Sequence, residues 1–239
     1  DLTNGNKVLF SGTPCQVAGL KSYLSSKRIA QENLIAVDLV CYGVPSPGVF
    51  SKWIAVLERT YHSRINEMCY RRTDSMWGHG GERYVFRNGK ILEGAFYTKL
   101  YFNALIIRSS CENCEFCSAS RVGDITLGDF WGINKVMPDF FDDRGVSLVI
   151  CNTEKGTQYL DSVKAQLYLR ESSIDAASEE QPRLRGIPVK SNLYQREEFW
   201  RKYHHRGMRY IAMEEGYIPQ SFLFRIEKKV RVIKRRLGL

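Results

Sequence analysis

KVLFSGTPCQVAGLKSYLSSK, residues 7–27, is the stretch that decides the fold. Residues 7–10 are a short apolar run of strand type, and beyond it Val17, Leu20 and Leu24 recur at helical spacing. Thr13 stands at the N-cap, Pro14 at the first helical position and Gln16 three residues after the cap. This is a capping-box pattern, in which two otherwise unpaired backbone donors are satisfied reciprocally. The next apolar run, LIAVDLV at 34–40, is too short and too β-branched for a separate helix and ends at CYGVPSPG. Strand, helix and strand over 8–40 make a βαβ unit, with a right-handed crossover and parallel strands as the default. Parallel strands end on one edge of a sheet. The SGTPC and CYGVPS turns are therefore expected to face one another at the carboxyl edge, where ligands bind in open α/β sheets.

Downstream, Ser46 and Pro47 start a second helix whose stripe Val49, Phe50, Trp53, Ile54, Leu57 and Tyr61 reads as core packing. A strand is expected near INEMCYR, and YVFRNGKILE reads as a hairpin turning at Asn88-Gly89 in a type I′ turn. MWGHGGE between them is a glycine-rich loop without phosphate-binding spacing, and His79 reads as a solvent-facing loop residue. Helical spacing returns at TKLYFNALII and carries the chain into a cysteine-rich loop. GVSLVICNTEKGTQYLDSVKAQL reads as strand, turn and helix with Thr153 as cap; Cys151 and Cys69 read as packed strand thiols. A short charged helix is expected around REEFWRKYHH, where His204 and His205 are adjacent and cannot share a helix face as a metal pair would. The fold class is therefore α/β: a mixed, largely parallel sheet with flanking helices, a β-hairpin insertion and an irregular cysteine-rich loop. Residues 1–221 are read as the main domain and 222–239 as a basic C-terminal helix.

The chemistry is concentrated in SCENCEFCS, which places Cys111, Cys114 and Cys117 at regular intervals just before GDITLGDFWGI. A Cys-x2-Cys loop can set two thiolates on one metal or on one face of a cluster. Three in register resemble the opening of a ferredoxin run, but the usual Cys-x3-Cys-Pro ending is missing, so a fourth thiolate must come from elsewhere. Spacing alone leaves iron-sulfur and zinc both open. Cys15 sits in the first turn of its helix, where free N–H groups and the positive end of the dipole favour a thiolate. Cys41, on the facing turn, is its natural partner.

Composition narrows the classes. With 44% hydrophobic and 26% charged residues the chain is an ordinary folded one. Seven cysteines, odd in number and clustered, in a chain without a secretory signal argue for a reducing cytoplasm and against a disulfide framework. No apolar run approaches the roughly 18 residues of a membrane span. The chain opens on Asp1 and a short polar stretch, as a piece lacking an N-terminal portion would. Of the net charge of +9, six units lie in FLFRIEKKVRVIKRRLGL at 222–239, where seven basic residues face the single Glu227. Ile226, Val230, Ile233 and Leu237 recur there at helical spacing, so the segment reads as a basic amphipathic helix, suited to an anionic membrane surface or an acidic protein. That uneven distribution argues against a nucleic-acid surface. Hydrolase and kinase signatures are missing: no Gly-x-Ser-x-Gly elbow, no Gly-Lys-Ser/Thr phosphate loop and no paired-histidine zinc motif.

Taken in order, VLFSGTPCQVAGL, LIAVDLVCYGVPSP, SCENCEFC and RVGDITLGDFWGI resemble one family, the β subunit of the deazaflavin (factor 420) hydrogenase and dehydrogenase group. The resemblance extends to GVSLVICNTEKG and SNLYQREEF. It implies an α/β flavoprotein oxidoreductase passing electrons between a 4Fe-4S cluster and FAD and onward to a deazaflavin or related acceptor. A ferredoxin module or other redox protein is implied as partner, with an upstream flavin-contacting region in full-length relatives. By motif, the implied cluster ligands are Cys15, Cys41, Cys111 and Cys114, with Cys117 as a spare thiol or a substitute for Cys41. The flavin is expected beside them, against Ser11, Gly12 and Thr13 and the loop of Gly128, Asp129, Trp131 and Gly132, where glycine lets backbone approach a ring or a pyrophosphate. The alternative is a zinc-stabilised structural module, closed by Cys111, Cys114, Cys117 and one further cysteine and docked through its basic tail.

Overall fold

The apolar run and capped helix of the opening stretch fold as read. In the computed structural model, which describes residues 1–70 and 81–236, β1 (Val8–Ser11), α1 (Pro14–Ser26) and β2 (Leu34–Leu39) form the expected unit. In chain order there follow α2 (Pro47–Tyr61), β3 (Ile65–Cys69), β4 (Glu82–Phe86), β5 (Ile91–Gly94) and α3 (Phe96–Phe102). Then come β6 (Ile125–Asp129), α4 (Ile133–Val136), β7 (Ser147–Cys151), α5 (Glu154–Val163), α6 (Ile174–Ser178), α7 (Leu193–Glu214) and α8 (Phe222–Arg236). His79 and the rest of 71–80 lie outside the described residues.

The chain divides into two compact units, Asp1–Gly43 with Ser109–Val189 and Val44–Arg108 with Lys190–Leu239. In the first, the strands run β1-β2-β6-β7. β1, β2 and β6 are parallel, with Ser11 beside Val37 and Val37 beside Ile125; β7 closes the sheet antiparallel to β6. One face of the sheet is covered by α1, whose Val17 and Leu24 pack with Leu34 and Ala36. A second cluster gathers Phe130, Ile133, Leu148, Ala177 and Leu184. The carboxyl ends of the three parallel strands share one edge, which brings together the turns that start at Ser11, Val40 and Asp129.

In the second unit β3, β4 and β5 form an antiparallel sheet against an aromatic core that includes Trp53, Tyr84, Phe86, Phe96 and Phe199. The α2 stripe is buried as read, with Trp53 1% and Leu57 0% exposed. Trp53 Nε1 donates to the Tyr84 hydroxyl at 2.8 Å, and the Tyr70 and Tyr84 hydroxyls lie 3.0 Å apart. Buried Glu82 accepts from the N–H groups of Tyr97 at 2.7 Å and Thr98 at 2.9 Å, so a strand residue caps α3 where the helix favours negative charge.

Four local expectations are corrected. The hairpin forms, but Asn88 is not among the described non-glycine residues of positive φ, so its turn is not type I′. The Gly89 N–H bonds Phe86 O at 2.9 Å and Phe86 N–H bonds Lys90 O at 2.8 Å, with Gly89 alone at φ 80°, the form of a three-residue loop with a glycine bulge. α3 stops at Phe102, because the chain turns at Ala104 (φ 57°) to bond Leu105 N–H to Leu100 O. The charged helix around 196–205 is part of a 22-residue α7 broken at Gly207 (φ 76°, ψ 169°). Cys69 is exposed rather than packed, since β3 turns most of its residues to solvent; Cys151 is half-buried.

Burial, together with the nearby charge of Glu82, pushes the Tyr70 and Tyr97 hydroxyls up to about 12 from an ordinary 10.0. The folded chain keeps those protons where the unfolded chain loses them, so their contribution to stability is complete below pH 10 and is lost as pH rises toward about 12. An alkaline titration followed by the tyrosinate ultraviolet band and by circular dichroism should show these tyrosines ionising only as the fold is lost. Their ionisation at the ordinary value with secondary structure intact would contradict the packing described.

Candidate metal centre

Three separate elements deliver cysteines to the carboxyl edge of the first unit. Cys15 lies in the first turn of α1, exposed, and its position is set by the cap before it. Gln16 Oε1 accepts from the Thr13 N–H at 2.9 Å, while the Thr13 hydroxyl reaches Cys15 Sγ at 3.1 Å and Gln16 Oε1 at 3.1 Å. A hydroxyl has one proton to give. With that proton on Gln16 Oε1, the free thiol donates to Thr13 Oγ1; a thiolate would reverse the contact and take the hydroxyl proton.

Cys41 follows β2, half-buried. Burial pushes its thiol up, partly offset by a backbone hydrogen bond from Gly43, and the sulfurs of Cys111, Cys15 and Cys114 push it further up. Gly43 sits at φ 147°, a conformation that glycine takes without steric cost, and this explains a glycine two residues after the cysteine. Cys111 lies in a 3-10 turn, Ser109–Asn113, and Cys114 just past it. Cys15, Cys111 and Cys114, the other cysteines assigned by resemblance, thus lie near enough to Cys41 to act on it. Among the described residues, no group of three or more His, Cys, Asp or Glu side chains converges tightly enough for a single ion.

Cys117 belongs to the same loop and its N–H bonds Cys114 O at 3.4 Å. Burial and the adjacent Cys114 raise its thiol, while the charge and hydrogen bond of Arg183 act in the opposite direction. Arg183 is itself buried, 9% exposed, with its guanidinium 4.9 Å from the centre of the Tyr42 ring. A second cation, Arg121, fixes the loop. Its Nη1 donates to the carbonyls of Phe116 at 2.9 Å and Ser118 at 3.1 Å, and its Nη2 to Leu39 O at 2.7 Å and Asp38 Oδ1 at 3.2 Å. Asp38, 0% exposed, also accepts from the N–H groups of Val122 and Gly123 and from the Thr126 hydroxyl. Lys21 of α1 completes the tie by donating to Val122 O at 2.7 Å.

The residues expected to meet a flavin share this edge, and their glycines pack closely against neighbouring side chains at the position a Cβ would take. A side chain added at Gly12 would meet Phe10 and Gln16, at Gly128 would meet Val40 at 2.8 Å, and at Gly132 would meet Glu180. Asp129 anchors its loop through its carbonyl, which accepts from Gln181 Nε2 at 2.9 Å. Ser11 is exposed and Trp131 partly so. These residues form an accessible rim at the carboxyl edge.

Sequence reading missed both arginines. Asp38 carried a signal for the first: a carboxylate inside the apolar run LIAVDLV requires a cation or several donors once buried. Nothing in PRLRG, residues 182–186, singled out Arg183.

The fold and site define an α/β protein with cysteines from three elements gathered at the carboxyl edge of a mostly parallel sheet. Residues 5–177 match the family described as the C terminus of the coenzyme F420 hydrogenase/dehydrogenase beta subunit, and the chain belongs to that family, one of oxidoreductases. Among solved structures, a chain from the F420-reducing [NiFe] hydrogenase complex of Methanosarcina barkeri is similar, with 13% identity and a TM-score of 0.42. The likeness covers 83% of this chain and 58% of that one. A comparison with curated proteins finds no match.

Replacing Arg121 with Met leaves Asp38 buried and without its cation, so Arg121→Met should lower unfolding stability by about 3–5 kcal/mol. Urea denaturation measures this, read as a fall in midpoint at constant slope. A loss below about 1 kcal/mol, the scale of an exposed pair, would mean that the backbone donors satisfy Asp38 alone.

Proposed function

We propose that the first unit carries the redox centre of an electron-transferring oxidoreductase, with a 4Fe-4S cluster on Cys15, Cys41, Cys111 and Cys114. We further propose FAD nearby and a deazaflavin or related small molecule as acceptor, with a ferredoxin module or other redox protein as partner. The observation that supports the cluster is that the start of α1, the exit of β2 and the 3-10 turn bring Cys15, Cys41, Cys111 and Cys114 to one edge of the sheet. FAD and the deazaflavin come from the family alone. When bound, a cluster and a flavin supply one-electron transfer and its conversion to hydride-equivalent transfer.

The chain's own residues have three tasks. Thr13 and Gly43 offer an O–H and an N–H to the sulfurs of Cys15 and Cys41, and such hydrogen bonds stabilise the reduced, more negative state of a thiolate centre. Arg121 holds the 116–118 backbone to the end of β2, which fixes the loop of Cys111 and Cys114 relative to Cys41. Arg183 engages Cys117 beside Cys114, so Cys117 serves as a neighbour of the ligand set and second choice to Cys41 for the fourth position.

Protein purified without oxygen should contain about four irons per chain with matching sulfide, and a broad visible absorbance that bleaches with dithionite. Cys15→Ser, Cys41→Ser, Cys111→Ser and Cys114→Ser should each lose most of the iron, and Cys117→Ser should keep it. Full iron in Cys41→Ser but not in Cys117→Ser would move the fourth ligand to Cys117. Colourless protein with stoichiometric zinc would replace this reading with the zinc-stabilised module.

A further inference from the structure

The last helix presents a surface that the redox centre leaves unused. Among the described side chains of α8, Phe224 is the one buried in the second unit, 3% exposed, with its ring centre 5.3 Å from that of Tyr210 on α7. An ion pair, Arg206 with Glu227 at 2.5 Å, lies on the same side and occupies the one acidic residue of the 222–239 segment. At about 100° per residue, Phe222, Ile226, Val230 and Leu223 fall within an arc of about 100°. Phe224 lies roughly 150° from the middle of that arc. The apolar stripe of α8 therefore faces away from the body that holds the helix: Phe222 and Leu223 are each 71% exposed, Ile226 44% and Val230 46%.

A helix that merely closed the fold would turn this stripe inward. Here the four apolar residues are left in water, and Arg225, Lys228 and Lys229 are exposed on the remaining circumference. A wide apolar arc bordered on the Phe222 side by Lys229 and Arg225 suits the boundary of an anionic bilayer, where the apolar side chains enter the acyl region and lysine and arginine stems reach back to the headgroups. Among the described residues no helix is long and apolar enough to cross a membrane, which fits a helix lying along the surface. A groove that wraps an amphipathic helix needs access to more than one side of it. The side carrying Phe224 and Glu227 is already against α7, so a flat partner is favoured. From the exposed stripe and its basic surroundings we infer that α8 docks this protein onto an anionic lipid surface.

The test uses the full chain in sedimentation with vesicles of phosphatidylcholine, with or without phosphatidylserine. Binding should require phosphatidylserine and weaken as salt is raised. The double variant Leu223→Ser with Ile226→Ser should bind on the order of tenfold or more weaker, because each side chain loses the transfer energy of a buried leucine-sized group. Both positions are exposed, so its circular dichroism and melting temperature should match the parent. A Phe222→Trp variant should show a blue-shifted emission on the same vesicles. Failure to sediment, binding indifferent to the double substitution, or retention on a polyglutamate column with no vesicle binding would overturn the inference, the last in favour of an acidic protein partner.

Discussion

A buried ion pair between Asp38 and Arg121 organises the first unit. One carboxylate oxygen meets the guanidinium and the Thr126 hydroxyl, and the other meets the N–H groups of Val122 and Gly123. The guanidinium in turn takes carbonyls from β2 and from the cysteine loop. Charges this deep in a protein are tolerated only with nearly every donor and acceptor satisfied, and that condition fixes geometry more than it adds stability. What it fixes is the relation of β2, which leads to Cys41, to the loop that carries Cys111, Cys114 and Cys117.

The thiol nest gains its character from that rigidity. Sulfurs on a helix start, a strand exit and a 3-10 turn stay close only if the three elements are pinned, and Lys21 to Val122 and Arg121 to Phe116, Ser118 and Leu39 are the pins. The cations also set the local field. Arg183 counters the burial of Cys117, and Arg121 is paired with Asp38.

Much of this was legible in the chain. The βαβ unit, the α2 stripe and the cap at Thr153 follow from local spacing and turn chemistry, which act over a few residues and leave periodic traces. The meeting of Cys15 with Cys41 was legible too, because parallel strands must end on a shared edge. Less visible were features set by distant partners. The length of α7 depends on packing across the second unit, and the exposure of Cys69 on β3 turning most of its residues to solvent. The occupied glycines teach the same lesson: Gly128 is small because Val40, far away in sequence, lies against it.

The order in which the chain is synthesised bears on one feature of the sheet. β2 and β6 are hydrogen-bonded neighbours, yet residues 44–108 of the other unit are made between them. On the ribosome β1 and β2 must therefore wait, with one edge unpaired, until β6 emerges. The inserted segment eases the later pairing by bringing its own ends together: Pro45 bridges Ile107, Ser46 N–H bonds Ile106 O at 2.8 Å and Arg108 N–H bonds Val44 O at 3.0 Å. Once that neck has formed, the loop that β6 must close to reach β2 falls from the 85 residues of 40–124 to the 22 of 40–44 and 108–124, and the entropic cost of a long-range pairing falls accordingly. Cys41 and Cys111 stand just outside the neck, one before it and one after, so the zipping that lets the sheet finish also delivers two of the thiols to the same place.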